Sequence, residues 1–189
     1  MQLIRIRTYF FIIIGLFTCI SANAASTFSV NEQQVNQYLA KQKTISNNLG
    51  FPGLFNLDYN LQDITAKIGQ NDPNRVELSG IIDSHFKLPN DQFPAKLNLT
   101  VDTIPYYDPK KGAIYLKDLR ILHLSGLPSQ YQTQIQSAMP LLADSISALI
   151  GSMPIYTLDE TDARQLMIKQ FAKGIKVEKG KLSLETTLF

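Results

Sequence analysis

Between residues 54 and 125 the apolar residues fall on alternate positions through four successive stretches, a pattern that few folds accommodate. In the clearest stretch Val76, Leu78, Gly80, Ile82, Phe86 and Leu88 share one side of an extended chain, and Glu77, Ser79, Asp83, His85 and Lys87 share the other. Before it, Phe55, Leu57, Tyr59 and Leu61 alternate with Asn56, Asp58 and Asn60. The apolar phase then slips to Ile64, Ala66 and Ile68, which predicts a bulge near Gln62 or Asp63. After it, Leu97, Leu99 and Val101 oppose Lys96, Asn98, Thr100 and Asp102, and a fourth stretch over residues 113–125 slips near Asp118. Asn71-Asp72-Pro73-Asn74 and Asp108-Pro109-Lys110-Lys111-Gly112 have turn chemistry. Long strands joined by short turns predict an antiparallel meander with one wet and one apolar face.

Something must cover the apolar face. In residues 128–150, Tyr131, Ile135, Ala138, Leu142, Ile146 and Leu149 recur at steps of three or four, with Pro128 in the first turn and Gly151 past the end. Pro140 should kink this helix, because it lacks a backbone donor and its ring clashes with the preceding turn. Beyond Pro140 the helix is apolar nearly all round, which predicts that it is enclosed. Two amphipathic helices flank the pattern. One covers residues 29–40, with Val35, Tyr38 and Leu39 inward, Ser29 as cap and Glu32 three residues on. It precedes a turn-rich stretch over residues 46–53. The other covers residues 159–173, with Ala163, Leu166, Met167 and Phe171 inward and Gly174 as terminator. Ile175 and Val177, then Leu182, Leu184 and Leu188, predict one or two final strands. The expected fold is α+β: a curved antiparallel sheet wrapped around a long, Pro-kinked helix, with further N- and C-terminal helices.

The N-terminal segment has a different logic. Arg5 and Arg7 precede a run from Tyr9 to Ile20 that is almost entirely apolar and is well short of the roughly 20 residues that span a bilayer. Small residues follow, as in a secretory signal peptide. Ala22 and Ala24 fit the positions read by signal peptidase, so residues 1–24 are expected to be removed, with the cut between Ala24 and Ala25. Acylation of Cys19 is the alternative, with Phe17 and Thr18 bulky where lipoprotein signals carry small residues. The full chain has 18 Lys and Arg against 16 Asp and Glu. Residues 1–24 contain two arginines and no acids, so the remainder is formally neutral. That balance argues against nucleic acid as a partner. A chain beginning at Ala25 has no cysteine, and its roughly 165 residues must be stabilised by one packed core rather than by disulfides. Residues 25–189 are expected to be one periplasmic domain, with membrane association only if Cys19 is lipidated.

No constellation names a reaction. His85 and His123 lie in different strands and lack metal-ligand spacing. There is no Gly-x-Ser-x-Gly elbow, and Ser125-Gly126 does not supply one. Asp159, Glu160 and Asp162 read as acids favouring a helix N-terminus rather than as a cation site. The expectation is therefore no catalytic residues, no metal and no cofactor.

The apolar stripes remain. A sheet curved around a helix forms a tube, and an incompletely filled tube leaves an elongated apolar cavity suited to an acyl chain. Ile82, Phe86, Leu99, Val101, Met139 and Ile146 are the expected lining of such a site. A tube filled by its own side chains, in an envelope interaction protein, is the alternative.

The chain resembles the YceB-like family of Gram-negative envelope lipoproteins, a domain of unknown function. The resemblance lies in residues 32–41 (EQQVNQYLAK), 49–53 (LGFPG), 68–80 (IGQNDPNRVELSG), 111–117 (KGAIYLK) and 172–177 (AKGIKV). That family is similar to the tubular lipid-binding superfamily, in which a curved sheet wraps a helix and apolar ligands lie between them. The resemblance implies lipid binding by analogy of fold. It implies no catalytic residues.

Overall fold

A computed structural model describes residues 28–42, 45–51, 53, 55–137 and 139–186. The expected signal peptide, Cys19, Ala24, Ala25 and the strand residue Leu188 lie outside the described residues. In chain order the elements are β1 (Phe28–Asn31), α1 (Glu32–Lys41), β2 (Ile45–Phe51), β3 (Phe55–Ile68), β4 (Val76–Lys87), β5 (Gln92–Asp108) and β6 (Ala113–Ser125). A 3-10 turn (Ser129–Tyr131), α2 (Gln132–Ser137), α3 (Met139–Ser152), β7 (Tyr156–Thr157), α4 (Ala163–Phe171), β8 (Ala172–Glu178) and β9 (Lys181–Thr186) follow.

The alternating stretches form a meander as expected. Strands β2 to β7 make a six-stranded sheet in sequence order, each pair antiparallel. Both phase slips are bulges. In β3 the register shifts between Gln62 and Thr65, with Asp63 at φ 54°, and the buried set passes from Leu61 to Ala66 and Ile68. In β6 Asp118 has φ 53°, next to a shift in the pairing of Asp102 and Ile104 with this strand. A residue inserted into one strand restores the inward phase and bends the strand.

A second sheet, β1–β9–β8, lies beside β5. Its β8–β9 turn is tied in on both sides, with Gly180 N–H donating to Ile68 O (2.9 Å) and Glu32 N–H donating to Gly180 O (2.9 Å). Val30, Leu182 and Leu184 of this sheet join Val35, Leu39 and the inward residues of the large sheet in one apolar cluster.

Several expectations are corrected. Helix α1 is capped by Asn31 rather than Ser29. Gln34 N–H donates to Asn31 Oδ1 (2.8 Å), and Asn31 N–H donates to Gln34 Oε1 (2.9 Å). Ser29 belongs to β1, paired with Ser183, and the Glu32 carboxylate accepts from Ile68 N–H (2.8 Å). Most of the turn-rich stretch expected over residues 46–53 lies instead in the edge strand β2, because β3 offers a ladder from Ile45↔Leu61 to Phe51↔Phe55. The helix expected over residues 128–150 is a 3-10 turn, α2 and α3. Pro140 is the second residue of α3, a first-turn position that tolerates proline. Residue 138, at the junction where the kink would fall, lies outside the described residues. Nor is α3 enclosed: Leu142, Ile146 and Ile150 are buried on one face, while Leu141 is 49% exposed.

Helix α4 turns a different side inward from the one expected. Ile168 is buried, whereas Ala163 is exposed, Leu166 is 40% exposed and Met167 is 59% exposed. Asp162 caps the helix, accepting from Arg164 N–H (2.8 Å) and Gln165 N–H (3.1 Å). The Lys169 stem lies against Gly112 of the β5–β6 turn while its ammonium pairs with Glu160, contacts compatible with the rotation that buries Ile168. Gly174 does not terminate this helix; it lies within β8, which begins at Ala172.

Candidate apolar binding site

The bends leave the inward residues of β3, β4 and β5 facing α3. Two apolar cavities of about 30 Å³ each lie there. The first is bounded by Leu57, Tyr59 and Leu61 of β3, Ile82 of β4, Leu97 and Leu99 of β5, and Leu142, Ile146 and Ile150 of α3. The second lies toward α1, between Leu39, Ile64, Leu78, Val101, Met153 and Ile155. Leu61, Leu99 and Ile150 line both, so one from each of β3, β5 and α3 forms a constriction between them. Among the described residues no charged side chain lines either cavity. Tyr59 shows the dielectric consequence, since burial raises its hydroxyl pKa above the ordinary tyrosine value.

Of the six residues expected to line a ligand, Ile82, Leu99 and Ile146 border the first cavity and Val101 borders the second. Phe86 lies instead in an aromatic row. Its ring is 5.5 Å from Phe55 and 5.0 Å from Phe93, and Phe93 stacks on Tyr131 at 3.8 Å. The Tyr131 hydroxyl donates to Asp91, which raises the tyrosine pKa and lowers that of the carboxylate. This pairing fastens the segment leading into α2 to the β4–β5 turn. Met139 borders a separate open groove beside the end of β6. The sequence reasoning missed Leu142 and Ile150, although their spacing around Ile146 carried the signal. It also missed Met153 and Ile155, which lie past the helix and follow no period.

A polar cluster stands apart. Arg75, 7% exposed, reaches Asp102 Oδ1 (3.1 Å) and Asp118 Oδ2 (2.9 Å), and its guanidinium also donates to the backbone oxygen of Asp118. Arg120 Nε donates to Asp102 Oδ1 (2.8 Å), and its terminal nitrogen pairs with the other carboxylate oxygen. The Arg120 hydrogen bond, helped by the nearby Arg75 charge, holds the Asp102 carboxyl below its ordinary pKa. Asp102 follows Val101 along β5, so the alternation turns its carboxylate away from the cavity. The cluster clamps the β6 bulge to the start of β4. Neither histidine joins it: His85 Nε2 lies 3.4 Å from Gln92 Oε1, and His123 Nε2 lies 3.1 Å from Ser125 Oγ. Among the described residues no three His, Cys, Asp or Glu side chains are grouped to hold a metal ion.

Comparison with known proteins adds relatives of the same extent. Uncharacterized lipoprotein YceB of Escherichia coli (strain K12) is 30% identical over 169 residues, spanning 89% of this chain and 91% of that protein. YceB of Salmonella typhimurium is 29% identical over 172 residues. The crystal structure of lipopolysaccharide binding protein is a loose likeness, with a TM-score of 0.25 and 12% identity. It covers 85% of this chain and 48% of the other, so this chain spans about half of that protein's length, and the likeness carries no argument here. Residues 30–181 match the model of the family described as protein of unknown function (DUF1439), and with its YceB relatives the chain belongs to that family.

Proposed function

We propose that residues 25–189 form a non-catalytic domain of the bacterial envelope that binds or carries a lipid or other apolar molecule between α3 and the concave face of the sheet. The observation that carries this reading is the pair of adjacent cavities with no charged side chain among the described residues of their lining. Their volume bears on how they would load. About 30 Å³ suits roughly two water molecules, whereas small-molecule sites run to roughly 300 to 1,000 Å³. Loading therefore requires α3 to move off the sheet, and a helix with one buried face has few contacts to give up in doing so. The expected sheet curved around a helix belongs to this reading, with the buried face of α3 toward the concavity and the helix displaced outward when a ligand lies beneath it.

The same small volumes favour a second reading, an envelope interaction protein whose tube is filled by its own side chains. Native mass spectrometry of protein purified from a bacterial envelope separates the two. The wild type and the exposed control Asn98→Ala should retain a lipid mass, and Val101→Phe should lose it with an unchanged thermal midpoint. Absence of lipid and of apolar-probe binding in the wild type, with Val101→Phe destabilised by about 1 to 3 kcal/mol, would establish the filled core instead.

A further inference from the structure

Each cavity borders an open groove, and the two grooves differ chemically. Leu124 of β6 lines the first cavity and also a groove of about 360 Å³ between the end of β6 and α2. Leu127 and Met139 extend its apolar wall, while Ser125, Gln132 and Gln136 supply its polar atoms, and among the described residues no lining side chain is charged. Gly126 leaves bare backbone in the same wall. Its φ is +102°, and a Cβ there would stand 2.1 Å from Lys96 O, so no other residue fits without moving the chain. At the far end, Leu39, Leu61 and Ile64 of the second cavity also line a groove between α1 and the β3 bulge, and this one includes the exposed carboxylate of Asp63.

Resting on the lipid-binding reading above, we infer that the ligand is a single-chain amphiphile with an uncharged, hydrogen-bonding head. Its tail runs through the first cavity toward the second, past Leu61, Leu99 and Ile150, and its head lies in the groove between β6 and α2. A glutamine side chain presents both a donor and an acceptor, as a hydroxyl does, so Ser125, Gln132 and Gln136 match a polyol or amide head in either direction of hydrogen bonding. An ionic head in the same groove would leave water without a counter-charge. At the Asp63 end an anionic head would meet a like charge.

The test uses three probes that share a twelve-carbon tail, added to purified mature protein and followed by titration calorimetry below micellar concentrations: 1-lauroylglycerol, laurate and dodecyltrimethylammonium. The glycerol ester should bind about tenfold or more tighter than either ion, the factor set by an uncompensated charge. Gln136 is solvent-exposed, so Gln136→Glu should leave the fold intact while weakening laurate and strengthening the ammonium probe, each by about threefold or more. Asp63→Asn should leave the order unchanged. If laurate or the ammonium probe binds wild type most tightly, or if Asp63→Asn rather than Gln136→Glu shifts the order, the head assignment is overturned while lipid binding stands. If none of the three binds, the lipid-binding reading falls and takes this assignment with it.

Discussion

Arg75 is the residue with most to lose. It is surrounded by two carboxylates and two backbone oxygens, and its removal would leave Asp102, 6% exposed, with Arg120 as its remaining cationic partner. Breaking a buried ion pair from one side typically costs about 3 to 5 kcal/mol, and because Arg120 still pairs with Asp102 the loss in Arg75→Met should stay below that range in urea unfolding. The pH dependence follows from the sign of the shift. Asp102 is held below its ordinary pKa in the folded state. Its contribution is therefore present above the unfolded carboxylate value, about 4, and is lost as pH falls through the lower folded value. Wild type should weaken over that acid range, and Arg75→Met, lacking one of the charges that favour ionised Asp102, should weaken less steeply. An equally steep acid loss in both proteins would show that Asp102 is not the group responsible. None of this was legible in the sequence. Arg75 and Asp102 are 27 positions apart, and only the β4–β5 register makes them neighbours.

Helices α3 and α4 show how far periodicity reaches. Strand faces were legible, because a period of two leaves two choices and the polar residues exclude one. Helix faces were less so: α4 has apolar residues at 166, 167, 168 and 171, an arc wide enough for more than one rotation. Burial of Ile168 against the rest of the fold, with the Lys169 stem against Gly112, marks which face is inward. Aspartate substitutions test the outcome. Ile146→Asp and Ile168→Asp place a carboxylate in the core and should cost several kcal/mol of a total of about 5 to 15. Leu141→Asp and Met167→Asp, at exposed positions, should stay within about 0.5 kcal/mol. Thermal unfolding of the four variants checks the rotation of each helix. Equal losses in the inward and outward members of a pair would mean that the helix is buried on both sides.

At the scale of the whole molecule the open matter is attachment. The YceB relatives are named lipoproteins, whereas Ala22 and Ala24 in this chain favour a cut before Ala25. Mass analysis of the mature N-terminus should find Ala25. A diacylated form beginning at Cys19 would instead put the domain on a membrane. The sequence by itself determined the meander, the positions of both bulges, the two flanking helices and the apolar side of β3, β4 and β5. Each of these is written in a local period or a turn, and neighbours along the chain suffice to read it. Tertiary structure alone decided that residues 28–31 and 45–51 are strands, because each is held by a partner ladder that its own composition does not announce. It also decided that α3 covers the sheet with one face, and that Leu61, Leu99 and Ile150 meet between two cavities. Cavity volume is a small difference between large packed volumes contributed by distant segments, so a close-packed interior leaves no trace of it in any one of them.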